Sequence, residues 1–256
     1  MLVTVWNVAN PMRNIRLRVE YDGTPYAGWQ RQPGGIVTVQ GELEAVLGRI
    51  LQEKVNLAAA GRTDRGVHAL GQVVNFTTAS LLPLDRLAHS INCLLPDTIR
   101  VDRPMEVDAS FHARFSATER QYRYFLIESP SAVCGRFTGC SFGPVDIKLM
   151  HSLAESIRGT HDFSAFSRED RDGTGSLCSV RTAGWYRHGR FLVFHVAANR
   201  FLRSMVRGLV GAMLDRGRDR LDRDSFLCML EGGAPGLRSR PADASGLFLT
   251  RVVYPR

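Results

Sequence analysis

The chain has 256 residues, 44% hydrophobic and 23% charged, enough for one large domain or two small ones, each with a sizeable core. Its net charge of +8 is almost wholly arginine, since Lys54 and Lys148 are the only lysines. No apolar run approaches the roughly 20 residues that span a bilayer, so no membrane role is expected.

The opening MLVTVWNVANPMRN lacks a cationic region ahead of an apolar stretch and does not read as a signal peptide. Residues 14–21 alternate Ile15, Leu17, Val19 and Tyr21 against charged neighbours and predict a half-buried strand ending at Asp22-Gly23. After the polar loop TPYAGWQRQPGG, Thr38 is a helix cap with Leu43, Val46, Leu47, Ile50 and Leu51 on one face. VNLAAA and VHALGQVVNFTT read as strands around a short loop, and a helix after Pro83 turns Leu84, Leu87, Ala88 and Ile91 inward.

The pattern then restarts. ATERQYRYFLI predicts a strand with Tyr122, Tyr124 and Leu126 on one face, followed by a loop over 133–144 and a helix burying Leu149, Leu153 and Ile157. VRTAGWYR and RFLVFHVAA form a hairpin around His188-Gly189. A helix through FLRSMVRGLVGAMLDR buries Met205, Leu209 and Met213. A short helix near DRDSFLCML and a strand LFLTRVVY close the chain. Both halves mix strands with helices, an α+β signature. The expected organisation is an arm at 1–13, a lobe at 14–112 and a second lobe at 113–256. The lobes meet near 110–116 around one continuous sheet or a tight interface, and a cleft between them is the natural place for a site.

Arginine presents a planar fork that suits phosphate and stacks on bases, so the charge favours nucleic acid as partner, although an arginine-rich genome gives the same bias. Five scattered cysteines without a C-x-x-C pair argue against zinc or a disulfide framework and fit a reducing cytoplasm.

The loop AAAGRTDRGVHA holds the chemistry-bearing carboxylate, Asp64, between Arg62 and Arg65. Taken alone, R-T-D-R-G is most often a plain turn. Apolar strands on both sides, two flanking cations and Thr63 as a turn-holder weaken that reading and leave room for an immobilised carboxylate of the kind that acts as a nucleophile. His68 lies four residues on but in a strand, where the two side chains diverge, so no metal site is expected. No nucleotide-binding glycine motif occurs. Tyr122 is either a core aromatic or a platform for a base, with Arg120 and Arg123 near the phosphates. Arg200, Arg203 and Arg207 fall on one helix face; Arg207 is crowded by Val206, Leu209 and Val210, and a buried arginine wants a carboxylate, for which Asp64 is the candidate.

These motifs together resemble the tRNA pseudouridine synthase A family. YDGTPYAGWQRQ, AGRTDRGVHA, FHARFSATERQYRY, GTHDFSAF, FLRSMVRGLVG and GLFLTRVVY match its motifs in order over residues 15–256. The resemblance implies an α+β pseudouridine synthase fold, two lobes around a mainly antiparallel sheet with the active site between them. It implies a homodimer that isomerises uridine to pseudouridine at tRNA positions 38, 39 and 40 in the anticodon stem-loop, without cofactor. On the matching positions, Asp64 is the catalytic aspartate, Tyr122 contacts the target base and Arg207 is the aspartate's basic partner. Arg62 stands beside the aspartate and Leu247 closes the pocket. Arg200, Ser204 and Gly208 depart from the family's usual small residue, histidine and asparagine. An RNA-binding protein without chemistry and a glycoside hydrolase are the competing readings; the second needs a paired acid.

Overall fold

The computed structural model describes residues 12–168, 175–232 and 238–255. Most of the expected N-terminal arm lies outside them. Ten strands form one mixed, mostly antiparallel sheet. Its main path runs β4 (Ile99–Val107), β1 (Arg13–Tyr21), β3 (His68–Thr78), β10 (Leu247–Val253), β5 (Glu119–Ile127), β9 (Phe191–Ala198), β8 (Leu177–His188) and β7 (Gly159–Asp162). Two short strands lie off this path, β2 (Ala58–Ala59) beside β3 and β6 (Gly139–Cys140) beside β5. The C-terminal strand β10 is the joint between the halves. It pairs parallel with β3 at Phe248–His68 and Leu249–Ala69, and antiparallel with β5 at Leu249–Tyr122.

The alternation read in β1 holds: Ile15, Leu17, Val19 and Tyr21 are all buried. Helix α1 (Val39–Leu51) starts where Thr38 caps it by accepting from the Gly41 amide. Helix α2 (Leu84–Leu94) packs on α1 and β4 through buried Leu87 and Ile91. In the second half α3 (Ile147–Ser156) packs on β8 and on α4 (Met205–Gly217), and α5 (Arg223–Leu230) lies against α3.

Four local expectations change. Residues 55–57 are not strand, because the Leu57 amide donates to Glu44 Oε1 at 3.0 Å instead of entering the sheet. Strand β4 was absent from the pattern. It is an edge strand holding Pro104, and edges tolerate a missing amide donor. Helix α3 buries Met150, Leu153 and Ala154, leaving Leu149 half-exposed. Helix α4 begins only at Met205, so Arg200 and Arg203 precede it and share no helix face with Arg207. The apolar spacing runs on through Phe201 and Leu202, but Ser204 takes a left-handed backbone (φ 61°, ψ 4°) that ends any helix on its N-terminal side.

All five cysteines are free. Among the described residues no helix is long and apolar enough to cross a membrane.

Candidate active site

Asp64 sits on the loop between β2 and β3, at the start of the turn Asp64–Val67. The turn closes with the Val67 amide donating to the Asp64 carbonyl at 3.1 Å. Gly66 takes φ +76° at its third position, a conformation that a side chain disfavours. Thr63 does not hold this turn, as its spacing suggested. Its hydroxyl pairs with the buried Tyr21 hydroxyl at 2.7 Å, and its carbonyl accepts from the Trp29 amide at 3.1 Å. The end of β1 at Tyr21 and Trp29 of the polar loop after it therefore buttress the Asp64 loop. On the far side His68 is buried. Its Nδ1 accepts from the Gly23 amide at 3.0 Å and its ring stacks on Phe248 at 4.6 Å. Burial lowers the His68 pKa, which keeps the ring neutral, as that hydrogen bond requires.

The Asp64 side chain is about a quarter exposed, at 23%. Two donors converge on one of its oxygens: the Ser204 hydroxyl at 2.6 Å and Arg207 Nη1 at 3.2 Å, both on Oδ2. Arg207 is held in turn. Its Nε donates to the Ala242 carbonyl at 2.8 Å, and its own carbonyl accepts from the Ala242 amide at 2.9 Å. One guanidinium thus links α4, the segment entering β10, and the carboxylate.

Tyr122 rises from β5 two strands away from β3. It is buried and meets Phe201 edge-on, ring centres 5.0 Å apart. Burial pushes its phenol well above the usual range, and the Asp64 charge adds to the rise. It is therefore neutral at pH 7 and can present a ring face, and its hydroxyl makes no hydrogen bond to any described residue. Leu247, at the head of β10, is buried opposite Tyr124 in the ladder.

Arg62 and Arg65 are exposed on the loop, without an ion pair to the described residues, and free to meet solvent anions. Arg120 is not among the phosphate-facing arginines. It is buried beneath the site, donating to the carbonyls of Ala60, Arg114, Ala117 and Asn199. Carbonyl oxygens, rather than a carboxylate, satisfy this arginine. It thereby ties the Asp64 loop to the segments on either side of β5 and β9.

A carboxylate fixed by two donors on one oxygen, near a buried and neutral phenol, has the makings of a nucleophile or a base. A family model described as tRNA pseudouridine synthase matches residues 18–116 and 153–255. The chain belongs to that family. A tRNA pseudouridine synthase A from Chlorobium luteolum is 80% identical over 244 residues, covering 95% of this chain and 96% of the relative. The corresponding protein of Chlorobaculum tepidum is 56% identical, covering 96% of this chain and all of its own length (100%). That of Acetivibrio thermocellus is 39% identical over 95% of this chain and 100% of itself. The α+β sheet is the pseudouridine synthase fold, and the enzyme is an isomerase that forms pseudouridine in tRNA.

Within this synthase the three departures from the familiar pattern have structural sense. Ser204 supplies the 2.6 Å hydrogen bond to Asp64. At Gly208 a Cβ would lie 2.0 Å from the Phe166 carbonyl oxygen, so α4 approaches that segment as only glycine allows. An asparagine there would push the first turn of α4, and Arg207 with it, off its seat. Arg200 donates to the Gly175 carbonyl at 3.2 Å. Ser204 could not have been found by spacing; the only sequence signal was its departure from the family motif.

Proposed function

We propose that this synthase isomerises uridine at positions 38, 39 and 40 in the anticodon stem-loop of tRNA, with Asp64 as the catalytic aspartate and no cofactor. The active form in this reading is a cytoplasmic homodimer holding tRNA across both subunits. The observation that carries the reading is the convergence of the Ser204 hydroxyl and Arg207 on Asp64 Oδ2. A carboxylate held in this way is immobilised and available for chemistry.

The reaction breaks N1–C1′, turns the freed uracil and joins C5 to C1′. Nothing is gained, lost or oxidised, so the chemistry asks for no redox group or nucleotide. The target base must leave the stack to be reached, and extrusion costs a few kcal/mol, roughly, that a stacking surface offsets. Tyr122 is assigned that contact, with Leu247 closing the apolar side. Asp64 either bonds to C1′ as uracil leaves, or takes the C2′ proton to leave a glycal; both end in the same product. Arg207 holds the carboxylate in place for either step. Arg62, exposed beside the aspartate, is assigned to the RNA backbone.

Purified protein should convert uridine in tRNA without change of mass, in chelator and without added nucleotide, with magnesium supplied only to keep the tRNA folded. Chemical labelling of pseudouridine should place the product at 38–40. Product confined to positions outside the anticodon stem-loop, or turnover lost in EDTA and restored by zinc, would overturn this reading.

The charge reading has its own test. The logarithm of tRNA affinity should fall linearly with the logarithm of salt concentration as counterions are released. Arg62→Ala should flatten that slope by about one phosphate contact, and Arg65→Ala likewise if it too meets the backbone. An unchanged slope in both variants would return the pair to plain surface cations.

A further inference from the structure

Ser204 occupies the N-cap position of α4, yet its side chain does not cap the helix. A serine there ordinarily accepts from an amide of the first turn. Here the hydroxyl turns away and donates to Asp64 Oδ2 at 2.6 Å. It does so from a left-handed backbone, φ 61°, which a residue with a Cβ rarely adopts. A forgone cap and a disfavoured backbone fall on one residue, and both serve the same contact. Backbone strain of this kind is kept where the surroundings impose it, and it gathers at reacting centres.

The second donor, Arg207 Nη1, meets the same oxygen at 3.2 Å. Asp64 Oδ1 accepts no hydrogen bond from any described residue. The two oxygens of one carboxylate are thus made unlike. Oδ2 has its lone pairs engaged by a neutral and a cationic donor, while those of Oδ1 remain open.

We propose that Ser204 is a positioning residue which, together with Arg207, anchors Oδ2 of Asp64 and leaves Oδ1 as the reacting oxygen. This rests on the reading of Asp64 as the catalytic aspartate and adds to it the atom that reacts and the group that selects it. In the attacking route an Oδ1 lone pair forms the bond to C1′ as the N1–C1′ pair departs on uracil. In the other route Oδ1 takes the C2′ proton, the C2′–H pair becomes the C1′–C2′ π bond, and the N1–C1′ pair again departs on uracil. Neither needs an oxidant, a reductant or a further reactant. In both, rotation of the carboxylate about its Cβ–Cγ bond would offer the wrong oxygen or the wrong angle. Two donors on one oxygen prevent that rotation.

The test uses the intact enzyme and compares Ser204→Gly with Ser204→Asn. Glycine relaxes the left-handed backbone and removes the hydroxyl, so a purely structural Ser204 predicts equal or higher Tm and undiminished turnover. A positioning Ser204 predicts equal or higher Tm, unchanged tRNA affinity, and single-turnover conversion slowed roughly 10- to 100-fold, the range for losing one hydrogen bond to a charged group. Asparagine tolerates the same backbone and carries an amide donor, so it should recover about tenfold of that loss. The effects of Ser204→Gly and Arg207→Ala should be less than multiplicative, because both act through one oxygen. Conversion by Ser204→Gly at the wild-type rate, or its loss in step with tRNA affinity, would overturn the proposal. Either result leaves Asp64 as the catalytic residue if Asp64→Asn is inert. An active Asp64→Asn enzyme instead removes the reading on which the proposal stands.

Discussion

Arg207→Ala should slow single-turnover conversion by about a hundredfold while tRNA still binds. The reason is the span of the guanidinium. Nη1 reaches Asp64 Oδ2 while Nε holds the Ala242 carbonyl, so one planar group sets the carboxylate against α4 and against the segment that leads into β10. Alanine removes both contacts and leaves Asp64 with the serine alone. A displacement of about 1 Å at a reacting group costs on the order of a hundredfold in rate. Stability should fall less than for a fully buried pair, since the Asp64 and Arg207 side chains are 23% and 17% exposed and water can re-solvate the remaining charge. Arg207→Lys keeps the charge but has a single nitrogen on a flexible stem, which can serve the carboxylate or the carbonyl but not both. It should recover roughly tenfold and no more. Lysine at the full wild-type rate would mean that charge alone matters here and that the two-point seat does not.

How far the sequence reached depends on the separation over which each feature acts. Local patterns were legible. The alternation of Ile15 to Tyr21, the Thr38 cap and the His188-Gly189 hairpin each depend on neighbours within one element, and the structure contains all three. Strand β4 escaped because its alternation breaks at Arg103 and Pro104, where the register against β1 shifts. The start of α4 was misplaced because hydrophobic spacing does not register a left-handed residue at Ser204. The site itself is assembled across long separations. Ser204 and Asp64 lie 140 residues apart, and Arg207 and Asp64 lie 143 apart. Physical reasoning joined Arg207 to Asp64 only through the rule that a crowded arginine wants a carboxylate. Arg120, expected near the phosphates, is instead buried and satisfied by four backbone carbonyls. The Tyr21–Thr63 and Trp29–Thr63 contacts were equally invisible, since neither a strand end nor a glycine-bearing loop gives a sign of what it props. Composition pointed to the class of partner, the ordered motifs to the family, and only the fold revealed Ser204 as the second donor on Oδ2.

In the proposed mechanism Asp64 performs the chemical step rather than shaping its turn. Asp64→Asn keeps size and shape and removes the charge and the reactive oxygen. Asparagine also forms the same turns, and the Val67 amide would still reach the residue 64 carbonyl. Asp64→Glu keeps the charge and carries it about one methylene farther, off the seat made by Ser204 and Arg207, so a loss of a hundredfold or more is expected. A turn-forming aspartate predicts the reverse order, with asparagine tolerated and glutamate poor. The decisive measurement is single-turnover conversion of labelled tRNA by saturating enzyme, run beside a binding assay for wild type and both variants. The expected result is wild-type tRNA affinity in Asp64→Asn with no pseudouridine formed, and Asp64→Glu nearly as inert. Conversion by Asp64→Asn at close to the wild-type rate would contradict the account.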